Sequence, residues 1–137
     1  MSTPYRFPLL AAGIFGATGV GLGAFGAHAL RASLTELGTR DRWETAVFYQ
    51  LIHTVALFGA AVWLRGAAGM AKAAIGPLTW AARCWSAGIV LFSGGLYVMA
   101  VTSSAPQVFK IAVPPLGGTL FIVGWLCVVT AGWRKSE

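Results

Sequence analysis

The chain has 137 residues, enough for one domain and too few for two. Hydrophobic residues make up 57% and charged residues only 10%, at a mean hydropathy of +0.73, whereas a soluble domain carries about 25% charged residues. Water does not solvate so uncharged a surface, and the net charge of +6 sits at the ends of apolar runs, which argues for a membrane and against nucleic acid.

Four charge-free runs follow in chain order: Phe7 to Leu30, Thr45 to Leu64, Cys84 to Phe109 and Ile111 to Trp133. Each reaches the roughly 20 residues that span a hydrocarbon core of about 30 Å. No period-two alternation marks membrane strands. The expectation is all-α: a single transmembrane domain over residues 1–137, an integral membrane four-helix up-down bundle with helices about 7–30, 43–64, 79–101 and 114–133.

The first run ends in Ala27-His28-Ala29, which resembles a signal-peptidase site, but the run is expected to be retained as a helix. Gly16, Gly19, Gly23 and Gly26 repeat at three- and four-residue steps and so line one face. In lipid, close backbone approach drives association, so this seam predicts a helix lying against it, from the same chain or from another copy. Gly21-Leu22-Gly23-Ala24-Phe25-Gly26 spells G-x-G-x-x-G, yet that fingerprint works only between a strand and a helix. Inside a membrane span it is a decoy.

The second run is introduced by Asp41 and Glu44, spaced as a capping box near Arg42, with Glu44 as a solvated cap. Gly66 to Pro77 is a Gly/Ala-rich connector, and Pro114 and Pro115 suit the first turn of the fourth helix. Were that helix to begin near Phe109, Pro114, Pro115, Gly117 and Gly118 would instead break it within the membrane, as transporters do. With an even number of spans, Arg6, Arg65, Lys72, Arg83, Arg134 and Lys135 share one side and Arg31, Arg40, Arg42 and Lys110 the other. The excess on the first side places both termini in the cytoplasm. Trp43, Trp63, Trp80, Trp85 and Trp133 fall near span ends, as an interfacial belt would.

Polar groups in hydrocarbon are costly and mark candidate sites. His28, Tyr49, Gln50, His53, Ser93 and Tyr97 all fall in the outer half, by counting about 1.5 Å per residue from the outer ends. Gln50 and His53 share a face, as do Tyr49 and His53, and Ser93 and Tyr97. One reading gathers this cluster into a polar pocket open toward the outer leaflet. The other has its members pair with each other and with backbone carbonyls, holding the bundle together. Haem ligation by His28 and His53 is disfavoured by a separation of about 10 Å along the membrane normal. Embedded acids are absent, and Cys84 and Cys127 form no CxxC motif, so no metal site, cofactor or catalytic residue is expected and the chain does not read as an enzyme.

Read as strings, Leu22-Gly-Ala-Phe-Gly-Ala-His28, Trp43-Glu-Thr-Ala46, Tyr49-Gln50-Leu51-Ile52-His53-Thr54, Leu91-Phe-Ser-Gly-Gly-Leu-Tyr97, Pro115-Leu-Gly-Gly118 and Gly124-Trp125 resemble the small four-span family called domain of unknown function 423. The resemblance implies a bacterial inner-membrane protein of four helices, and it implies no activity. The expected function is therefore a non-enzymatic protein that binds or moves a lipid-like or small polar ligand at an outer-leaflet pocket. Alternatives are a structural or assembly subunit of a membrane complex, and a haem or quinone redox module. Membrane lipids are the expected partners, and the exposed glycine faces are compatible with a homo-oligomer.

Overall fold

A computed structural model describes residues 3–66, 72–102 and 104–133. The elements are α1 (Arg6–Ala27), α2 (Arg31–Glu36), α3 (Arg40–Gly66), α4 (Lys72–Gly88), a π-helical turn (Ile89–Ser93), α5 (Gly94–Val101) and α6 (Gln107–Trp133). The described residues contain no strand. α1, α3, the continuous stretch Ala73–Val101 and α6 are each long and apolar enough to cross a bilayer. The chain is an all-α, four-span membrane bundle. Its outward faces are apolar, with Leu10, Ile14, Val55 and Ile122 each at least 62% exposed. Only lipid solvates such a surface.

Neighbouring spans run antiparallel. α1 packs on α3, and α4 with its π turn packs on α6. α3 also contacts α4, the π turn and α5, joining the two pairs into one bundle. We call the end where α1 stops and α3 starts the distal end.

Two seams of close backbone approach hold the pairs. Along α1, a Cβ added at Gly16 would meet Thr54, one at Gly19 would meet Leu51 and Gln50, one at Gly23 would meet Val47, and one at Gly26 would enter the Trp43 indole. Each step up α1 is matched by a near-equal step down α3, so the pair keeps one register. The glycine face expected to meet another helix meets α3 of the same chain.

The second seam is not foreseen from the sequence. Gly124 faces Trp85, Gly88 faces Phe121, Gly117 faces Phe92, and Gly95 faces Pro114. The notches alternate between α6 and the third span at one constant antiparallel register. The closest approach is Gly117, where a Cβ would touch the Phe92 nitrogen and lie 2.8 Å from its Cα. A signal is present all the same: Gly88 and Gly95, and Gly117 and Gly124, are each one heptad apart.

Several boundaries differ from the expectation. The fourth helix starts at Gln107, so Pro114 and Pro115 are interior rather than in its first turn. They remove the bonds to the Lys110 and Ile111 carbonyls, yet the helix runs through them unbroken. Pro114 is buried in the Gly95 notch, and that packing keeps it in place. The third helix starts at Lys72, so part of the presumed connector, Pro77 included, is helical. Residues 67–71 of that connector and the charges at Arg134, Lys135 and Glu137 lie outside the described residues.

α1 ends at Ala27, and the short α2 follows. α2 stops in a Schellman arrangement, with Gly38 at φ 63°, Gly38 N–H on Thr35 O at 3.1 Å and Thr39 N–H on Leu34 O at 2.9 Å. α3 then opens at Arg40, ahead of the presumed Asp41–Glu44 box. Glu44 is not a cap; it accepts from Arg40 Nε at 2.7 Å. Trp63, Trp80 and Trp133 face outward as expected of a belt, whereas Trp43 and Trp85 are buried in the seams.

Gly117→Ala is expected to cost about 1–3 kcal/mol through overpacking, despite the roughly 1 kcal/mol gained in helix propensity. Gly21→Ala, with nothing within 4 Å, should be neutral or stabilising. Denaturation by sodium dodecyl sulfate in mixed micelles, followed by circular dichroism, measures both.

Candidate functional site

The polar residues singled out by depth separate into distinct environments. Gln50, 3% exposed, projects from α3 against the Gly19 notch, and only a missing side chain on α1 leaves it room. Its Nε2 donates to Phe15 O at 2.9 Å and to Thr18 Oγ1 at 3.0 Å. Its Oε1 accepts from Tyr97 Oη at 2.9 Å. The amide orientation follows from chemistry, because the Phe15 carbonyl only accepts. One side chain thus bonds α1, α3 and α5 together with both ends of its amide engaged. The Tyr97 ring continues the contact, 4.6 Å from the Trp43 ring, and Trp43 Nε1 donates to Leu22 O at 3.0 Å.

His53 belongs to a separate aromatic box. Its ring stacks on Phe121 at 3.6 Å between centroids, nearly parallel, with Trp85 and Trp125 at 6.5 and 6.2 Å. Nδ1 lies 2.8 Å from Tyr49 O and therefore donates, while Nε2 lies 3.3 Å from Trp125 Nε1 and therefore accepts. These partners select the neutral Nδ1–H tautomer. Tyr49 is partly exposed, its ring 4.7 Å from Phe92.

Ser93 is fully buried, and its Oγ has no hydrogen-bond partner among the described residues. A serine within an α-helix reaches the carbonyl four residues back, as Ser86 does with Ala82. Ser93 ends the π turn, where the Ile89 carbonyl receives Gly94 N–H instead. Trp85 Nε1, laid over Gly124, is likewise unpaired among the described residues.

His28 does not join the cluster. It caps the end of α1, exposed, beside an open depression it shares with Arg31, Thr35 and Glu36. These residues do not gather in one place: Gln50 and Tyr97 bond each other, His53 bonds Tyr49 and Trp125, and His28 stands at a helix end. For haem, both His53 nitrogens are engaged and His28 stands apart at a helix end. Among the described residues, no three His, Cys, Asp or Glu side chains are placed to share a metal.

The concave surfaces lie elsewhere. A groove of about 310 Å³ at the distal end runs between α1, α2 and α3. Gly23, Gly26, Val47 and Leu51 form its apolar walls, and Arg40 and Glu44 supply its charged groups. The sequence does not reveal it, because Arg40 and Glu44 read as solvated loop and cap residues and nothing announces α2. A second cleft, of about 430 Å³ and almost wholly apolar, opens between α3, α4 and α6, bounded by Gly59, Trp63, Trp85, Trp125 and Gly132.

Residues 22–118 match the family described as Protein of unknown function (DUF423). The chain belongs to this family. It is similar to the UPF0382 membrane protein YwdK of Bacillus subtilis, at 40% identity over 82% of this chain and 84% of the relative. It is also similar to the UPF0382 inner membrane protein YgdD of Escherichia coli K12, at 35% identity over 96% of this chain and 93% of the relative. A Staphylococcus epidermidis UPF0382 membrane protein is 39% identical over 82% of this chain and 83% of its own length. No solved structure matches the chain. As a member of the DUF423 family, this protein is a multi-pass inner-membrane protein, in keeping with its four apolar helices.

Tyr97→Phe removes one interhelical hydrogen bond and should cost about 0.6–1.7 kcal/mol. In a Gln50→Leu background the same change should cost less than about 0.3 kcal/mol, because its partner is already gone. A double-mutant cycle of unfolding free energies in mixed micelles tests the pair; simple additivity would show that the two side chains do not interact.

Proposed function

We propose that this protein binds a membrane lipid in the distal groove between α1, α2 and α3. The observation that carries the reading is the groove itself, with apolar walls at Gly23, Val47 and Leu51 and charged groups at Arg40 and Glu44. A lipid has the same division into chain and headgroup. Its volume stands at the lower end of the roughly 300–1,000 Å³ of ligand sites, fitting a segment of one chain beneath a headgroup. On the orientation that the Lys and Arg balance gives, with both termini in the cytoplasm, the groove belongs to the outer leaflet. The polar cluster serves as interhelical glue rather than as the binding surface, so the reading is of binding and not of passage across the membrane.

A structural or assembly role is the second reading. It is favoured by Gly13 and Gly21, which face away from the bundle with nothing within 4 Å and would let another helix approach α1 closely.

Native mass spectrometry of gently extracted protein tests the lipid reading. The wild type is expected to retain lipid stoichiometrically. Ala27→Trp, which fills the groove from an exposed position, should lose it, while Gly59→Trp in the second cleft should keep it. Equal retention by both variants, or none by the wild type, overturns the reading, and a co-purifying second copy or foreign subunit supports the assembly role. Circular dichroism confirms that both variants fold.

A further inference from the structure

We propose that the distal groove selects a lipid headgroup carrying both a phosphate and a primary ammonium, with Arg40 taking the phosphate and Glu44 the ammonium. The inference rests on the reading of that groove as a lipid site and adds the headgroup class. Arg40 and Glu44 lie one helical turn apart on α3, joined through Arg40 Nε and Glu44 Oε1 at 2.7 Å. Their side chains are 53% and 58% exposed, so each is shared between groove and solvent.

The pair leaves capacity on both sides. A guanidinium has five N–H donors and among the described residues only Nε is committed, so the terminal nitrogens can meet the paired oxygens of a phosphate. Glu44 Oε1 accepts the one bond from Arg40, leaving Oε2 and further lone pairs for a donor. Arg40 also opens α3, where the helix dipole disfavours a cation and favours an anion. A phosphate at that point would add to the anionic complement that Asp41 already supplies in the first turn.

An exposed pair of this spacing contributes only about 0.3–0.5 kcal/mol to helix stability. Its position over an apolar groove is better matched by a ligand with the complementary order of charges. A primary ammonium brings three N–H donors for the carboxylate, whereas a quaternary ammonium brings none. A glycerol headgroup has no cation for Glu44 and leaves it facing the phosphate. The groove therefore distinguishes three headgroups that share one phosphate.

The test uses the full chain in nanodiscs of matched acyl composition made with phosphatidylethanolamine, phosphatidylcholine or phosphatidylglycerol, with retained lipid counted by native mass spectrometry. Phosphatidylethanolamine should be retained about tenfold better than either of the others, the difference one charge-assisted hydrogen bond at the weak end of the range makes. Glu44→Gln should erase that preference, and Arg40→Gln should weaken retention of all three. Equal retention of the three lipids by the wild type overturns the headgroup inference and leaves the groove reading standing, as does a preference that survives Glu44→Gln. No retention of any lipid overturns both. Unchanged thermal unfolding of the two variants shows that a loss of lipid is not a loss of fold.

Discussion

Inside a bilayer an apolar side chain gains little by leaving lipid for protein, so helices associate where their backbones come close enough for dense contact. Both helix pairs here are built on that constraint. In the first pair every notch belongs to α1 and every side chain filling it belongs to α3. In the second the notches alternate, Gly124 and Gly117 on α6 with Gly88 and Gly95 opposite. Each seam admits one register, because a slip by a residue would drive Trp43 or Phe121 against backbone. Topology and register are therefore decided by the same few positions that lack a side chain.

The polar residues depend on that register. Gln50 reaches the Phe15 carbonyl because Gly19 leaves space beside α1, and it reaches Tyr97 because α5 lies on the other side of α3. His53 is set by Tyr49 on its own helix and by Trp125 across the bundle. These bonds convert a loose association of greasy helices into one specified arrangement. They also occupy the groups that would otherwise have been available to a ligand, which shifts attention to the distal groove.

Much of this architecture is legible in the amino-acid sequence. Charge-free length yields the four spans, the three- and four-residue glycine spacing yields the packed face of α1, and depth counting puts Gln50 and Tyr97 in the same half of the membrane. What escapes has physical reasons. A criterion of uncharged residues stops at Lys110 and Arg83, although the helices holding them run on past both residues. Pro114 and Pro115 read as a helix start because an interior proline forfeits a backbone bond, but packing in a bundle tolerates that loss. His28 shares only the outer half with Gln50, and sorting by halves hides that it stands at the end of α1 rather than within the bundle. Trp43 and Trp85 look interfacial by position, yet each is the large partner of a small residue that only the fold brings opposite.

The π turn at Ile89–Ser93 governs how the third span addresses its two neighbours. Below it Trp85 and Gly88 pack on α6; above it Gly95 still meets Pro114 of α6 while Tyr97 bonds Gln50 of α3. Wider winding is what an extra residue does to an α-helix, and the reverse also holds. Removing one residue here would restore ordinary winding but shorten the Gly88-to-Gly95 spacing that matches Gly117 to Gly124 on α6. The same deletion anywhere else in the span would turn one surface away by about 100°. The turn thus lets one span serve two neighbours while the seam that fixes its register runs on past it.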